Sequence, residues 1–130
     1  MCNGVVRYSD LLDAANTLST RLQPLDDLVS TTDTPTMQGR MLVLEVRPYL
    51  YAMGHIGRYV QDTALVNEVE DIITCSVLLA GDAQPMQIEP YPPFRFVLNQ
   101  TQLLCVSGKA TCRAVCKAGS ENTWVGFHIK

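Results

Sequence analysis

Residues 94–117, FRFVLNQTQLLCVSGKATCRAVCK, restrict the fold of this chain more than any other stretch. Phe94, Phe96 and Leu98 alternate with Arg95 and Val97, the period expected of a strand. Further strands are expected over 102–107, 109–117 and 124–129. Asn99-Gln100, Ser107-Gly108 and residues 118–122 supply turns or a bulge between them. Four short strands have too little area to bury two faces. They must therefore pack on helices or pair with strands of another chain.

Upstream, the spacing predicts helices. Ser9 is a good N-cap, Tyr8 can staple from outside, and Asp10 and Asp13 sit in the positive first turn. Leu11, Ala15, Leu18, Leu22, Leu25 and Val29 follow at spacings of four and three, a seam made for packing on other helices, with a kink at Pro24. Residues 30–36, STTDTPT, form a polar link. Thr34 and Pro35 then read as the N-cap and first position of a second helix reaching about residue 60. Its stripe is Met41, Leu44, Pro48, Tyr51 and His55, although 42–46 reads equally well as a strand by composition. Leu65, Val66, Val69, Ile72, Ile73 and Val77 predict a third helix over 62–81, whose end at 72–80 is rich enough in β-branched residues to be a strand instead. The prolines of 81–93 break the pattern. The expected organisation is α+β: a helical hairpin region at 1–61, an extra helix or linker at 62–85 and a β region at 86–130.

A hydrophobic fraction of 47% is too high for a disordered tail. The net charge of −3 is unevenly spread: residues 1–85 carry five basic and eleven acidic side chains, and residues 86–130 five basic and two acidic. In the basic part, Lys109, Arg113 and Lys117 share one face of a strand. Such a row suits backbone phosphates, which position a protein without reading bases; plain solvation is the alternative. Five cysteines without a framework point to a reducing compartment. Cys112 and Cys116, on a strand, lie roughly 13 Å apart and do not ligate one metal directly, so buried, inert thiols are expected. His55 and His128 have no Ser, Cys or carboxylate partner at motif spacing. Each is expected to be structural, and no enzyme, metal or cofactor is expected. Burial is expected for Trp124. There is neither a signal-peptide h-region nor a run of 18 apolar residues, so no leader and no membrane span are expected.

Two stretches carry a likeness to a known family. Residues 18–29, LSTRLQPLDDLV, with the Thr34-Pro35 start of the next helix, form one. Phe96-Val97-Leu98-Asn99 followed by residues 108–119, GKATCRAVCKAG, form the other. In this order they resemble the small (gamma) subunit of general transcription factor IIA over about half the chain. The 62–84 segment is longer than that family's linker, and residues 124–130 have no counterpart in it. The resemblance implies a nuclear, non-enzymatic subunit of a heterodimer acting in transcription initiation. Leu11, Ala15, Leu18, Leu22, Leu25 and Val29 would form half of an intersubunit four-helix bundle with a large-subunit-like chain. The strands would complete a shared β-barrel. Phe94 and Tyr91 would meet a TATA-binding-protein-like factor in the preinitiation complex, and Lys109, Arg113 and Lys117 the promoter DNA backbone. Core packing is the alternative for Phe94. A competing reading is a single-chain OB-like barrel for single-stranded nucleic acid, with 41–53 and 72–79 as strands; a helical scaffold subunit is a third.

Overall fold

The computed structural model describes residues 2–24 and 33–130. It is almost wholly antiparallel sheet, with one helix among the described residues. The elements run β1 (Cys2–Arg7), α1 (Tyr8–Thr17), β2 (Arg21–Pro24), β3 (Pro35–Arg47), β4 (Leu50–Tyr59), β5 (Thr63–Gly81), β6 (Pro85–Ile88), β7 (Phe94–Arg95), β8 (Thr101–Cys116) and β9 (Glu121–Ile129). The expected α+β chain with a helical hairpin is therefore corrected. Only Leu11 and Ala15 of the proposed bundle seam lie within α1. Leu18 is its C-cap, and Ser19 takes a left-handed φ of 53° that ends the helix. Leu22 belongs to β2, which pairs with β5, while Leu25 and Val29 lie outside the described residues. The helix starts earlier than expected: Arg7, not Ser9, is its N-cap, Tyr8 and Ser9 lie within it, and the Asp10 carboxylate accepts the Arg7 backbone N–H at 2.7 Å.

The stretch expected as a second helix is the β3–β4 hairpin, paired from Met37↔Tyr59 to Arg47↔Leu50, with Tyr49 at a φ of 69° in the turn. The stretch expected as a third helix is the 19-residue β5. The strands follow the order β1-β3-β4-β9-β5-β8-β6-β7. Thus β9 lies between β4 and β5, two strands that are consecutive in the chain. No helix among the described residues is long and apolar enough to cross a membrane.

The sheet curls: Tyr59 on β4 lies close to Cys116 on β8 although β9 and β5 separate their strands in the sheet order. One face is thereby turned inward. Its core gathers Val69, Ile72, Ile88 and Cys112, with Phe94, Leu104, Val106 and Ala110 packed around them. The two strands expected at 102–107 and 109–117 are one continuous β8. The feature between them is a bulge: register slips between Glu70 and Ile72, and Asp71 Oδ1 accepts the N–H of Gly108, whose φ is 77°. At the other end of the sheet, Thr36 Oγ1 donates to the Val6 carbonyl at 2.8 Å in a buried β1–β3 contact.

Candidate functional site

On β4 every second side chain points inward, so Tyr51, His55 and Tyr59 share the inner face. On β9 the same alternation turns Asn122, Trp124 and His128 inward. Register brings the two sets together, pairing His55 with Trp124 and Tyr51 with His128. The His55 and Trp124 rings meet edge to face with centroids 5.0 Å apart, and Tyr59 approaches His55 at 6.3 Å. Tyr51 and His128 form a second edge-to-face pair at 6.1 Å.

The polar atoms of this wall are directional. His55 Nε2 donates to Asn122 Oδ1, and the Asn122 amide nitrogen reaches the Asp82 carbonyl at 3.5 Å. With the amide so oriented, the His55 proton resides on Nε2 and the lone pair on Nδ1. Burial lowers the His55 pKa, against the opposing effect of the Asn122 hydrogen bond. Burial, with a smaller contribution from Lys130, also lowers that of His128. Both rings are therefore neutral at pH 7. Burial holds the Tyr59 phenol and the Cys112 and Cys116 thiols protonated, so those thiols are poor nucleophiles.

Three buried polar atoms find no partner among the described residues: His128 Nε2, Asn67 Oδ1 and Gln61 Nε2. His128 is only 3% exposed, and its other nitrogen, Nδ1, lies 3.4 Å from Thr74 Oγ1. Asn67 opposes Cys112 on the inner face. Buried groups of this kind cost free energy unless something hydrogen-bonds them. No buried residue among those described carries a formal charge at neutral pH. His55 and His128 are four residues of strand apart, roughly 13 Å, and no cluster of three or more His, Cys, Asp or Glu among the described residues could hold a metal ion. The interior does not fit a protein-held metal. What it offers is aromatic edges with a few fixed hydrogen-bonding atoms, in neutral surroundings.

The residues expected to form sites are dispersed. Phe94 is half-buried against the core and meets Phe96 edge to face at 6.0 Å, the packing alternative of its two readings. Tyr91 is 68% exposed. Lys109, Arg113 and Lys117 do follow the outer face of β8, but Arg113 is paired to Glu89 at 2.6 Å and Lys117 lies just past the strand. Sequence reasoning missed the inner wall because it took the two histidines one at a time. The available signal was the period-two placement of Tyr51, His55 and Tyr59 in one stretch and of Asn122, Trp124 and His128 in another.

Residues 38–130 match the sequence model of the regulatory protein PchR N-terminal domain. No curated protein sequence matches the chain. Among solved structures, the Schizosaccharomyces pombe Cnp3 cupin domain is similar at a TM-score of 0.52 and 12% identity, over 85% of this chain and 68% of that one. The DMSP lyase DddQ from Ruegeria pomeroyi DSS-3 is similar at 0.50 and 14%, over 93% and 60%. At such identities the likeness concerns the fold, which is cupin-like. These findings overturn the resemblance to transcription factor IIA. With it go the four-helix bundle, the large-subunit-like chain, the TATA-binding-protein-like factor, the contact with promoter DNA and the role in transcription initiation. The OB-like alternative falls as well. A nuclear location, inferred only from that resemblance, loses its premise. Where the stretches that carried the likeness fall among the described residues, their conformation is strand or loop.

Proposed function

The chain belongs to the regulatory protein PchR N-terminal domain family, and from that premise we propose that it is a small-molecule sensing module that binds its ligand without transforming it. The observation that carries this reading is His128, 3% exposed with Nε2 unpartnered among the described residues and set beside Tyr51 on the inner wall. A guest that hydrogen-bonds this nitrogen removes a cost that the fold otherwise bears. The absence of buried charge among the described residues favours a neutral guest, since an unpaired ion there would be poorly solvated. The aromatic edges of Tyr51, His55 and Trp124 favour one with a flat or apolar body. The neutral, proton-holding thiols and the lack of a nucleophile–base pair or metal cluster among the described residues support binding over catalysis.

Trp124, the single tryptophan, reports directly on this wall. Titrating the chain with a panel of neutral aromatic and heterocyclic compounds should identify a ligand that changes Trp124 emission and raises the melting temperature. At a hundredfold excess over Kd the gain is about 2.7 kcal/mol. His128→Phe should weaken that binding at least about tenfold, the effect of one lost buried hydrogen bond. Turnover of the bound compound, or binding indifferent to His128→Phe, would overturn the proposal.

A further inference from the structure

The outer face of the sheet is a separate matter from its interior. Directly paired residues share a face, so register defines rows that cross five strands. One row runs Leu42, Gly54, Val125, Val77, Thr101, and the next Leu44, Ala52, Phe127, Cys75, Leu103. A third pairs Leu50 with Ile129, Ile73 and Cys105. The one charge in these rows is Arg47, which pairs with Leu50 at the β3 edge of the third. Charged residues border the patch at both ends, Arg47 at one and Arg40 with the Arg58–Glu121 ion pair at the other.

This face is open to solvent. Leu103 is 67% exposed, Leu44 54%, Phe127 50% and Val125 44%. With Leu42, Val46, Ile56, Ile73 and Ile129, themselves 38–54% exposed, it presents roughly 800 Å² of apolar side-chain surface, taking about 150–200 Å² for each fully exposed residue. That exceeds the few hundred square ångströms a soluble monomer leaves bare. It equals the roughly 800 Å² that one partner contributes to a stable interface.

The face carries a groove that a second copy can enter. Ala52 and Gly54 form the floor of a groove of about 510 Å³, with Leu42 on one side and Val125 and Phe127 on the other. The chain cannot fill this floor itself, because a Cβ at Gly54 would lie 2.8 Å from the Trp124 carbonyl oxygen. A ridge of Val125 and Phe127 beside a trench of Ala52 and Gly54 is what a two-fold arrangement needs, the ridge of each copy entering the trench of the other.

We propose that this chain forms a two-fold dimer with a second copy of itself, through the outer faces of β3, β4, β9, β5 and β8. Sedimentation equilibrium and light scattering on the 130-residue chain test it. The expected result is a dimer with a micromolar or tighter Kd. Phe127→Asp should raise that Kd at least about thirtyfold, and Leu103→Ser about tenfold, with circular dichroism unchanged. Leu103 is so exposed that its replacement leaves the fold intact, which keeps the test valid even if Phe127→Asp fails to fold. A chain that is monomeric at high micromolar concentration overturns the proposal. So does a dimer whose Kd is unmoved by Leu103→Ser.

Discussion

His128 and Thr74 stand directly opposite each other across β9 and β5, with ring nitrogen Nδ1 3.4 Å from the hydroxyl oxygen. Among the described residues, that hydroxyl is the hydrogen-bonding group set against an otherwise secluded imidazole.

Acid should destabilise the fold through its two histidines. Both have folded pKa values lowered from 6.5, chiefly by burial. Below 6.5 the unfolded chain takes up protons that the folded chain refuses. The contribution of the neutral rings is therefore complete above that pH and declines as pH falls toward the lowered folded values. The slope is at most about 1.4 kcal/mol per pH unit for each ring. Urea unfolding between pH 7.5 and 5 measures it, the slope steepening below about 6.5. In the double variant His55→Gln, His128→Gln the histidine component of that slope should vanish.

Two glycines should respond differently to alanine. A Cβ at Gly57 would lie 2.4 Å from the Gln38 carbonyl oxygen and 2.8 Å from Met37 Cγ, so β3 must move. Gly57 also opposes Asn122, and the displacement reaches the His55 hydrogen bond. Gly57→Ala should cost about 2–3 kcal/mol by denaturant titration. Gly108 has no heavy atom near its missing side chain but has a φ of 77°. Gly108→Ala should cost about 1–2 kcal/mol from backbone conformation alone.

The Arg113–Glu89 ion pair should contribute little. Its side chains are 36% and 44% exposed, so water and salt screen it. Arg113→Ala should lower stability by no more than about 1 kcal/mol, less still in high salt. A greater loss would mean that the arginine stem packs on β6 in a way that charge alone does not describe.

In the C-terminal part, β8 and β9 were legible because they alternate against polar residues, as around Lys109–Arg113, but the strand expected over 94–98 is only Phe94–Arg95. The hairpin of β3 and β4 was not, for two physical reasons. Leu42, Leu44 and Val46 make its outer face as apolar as the inner face of Met41 and Val43, so the period of two vanishes. Residues four apart, such as Tyr51 and His55, share a face in a helix and in a strand alike. The bundle seam failed similarly: Leu11 to Leu18 holds helical spacing, but the backbone reverses at Ser19 and Leu22 is already in β2. The inner wall rests on pairing between β4 and β9, and no local spacing encodes that His55 will face Trp124.

The place of β9 also has a temporal meaning. As the chain is synthesised, β4 and β5 emerge one after the other, yet each keeps its facing edge for a strand that comes much later. Pairing the two directly would be the nearer choice, and it would shut out Glu121–Ile129 and both aromatic partners that this segment brings. The interior wall therefore depends on contacts far apart in sequence, and it is incomplete until Glu121–Ile129 has joined both neighbours.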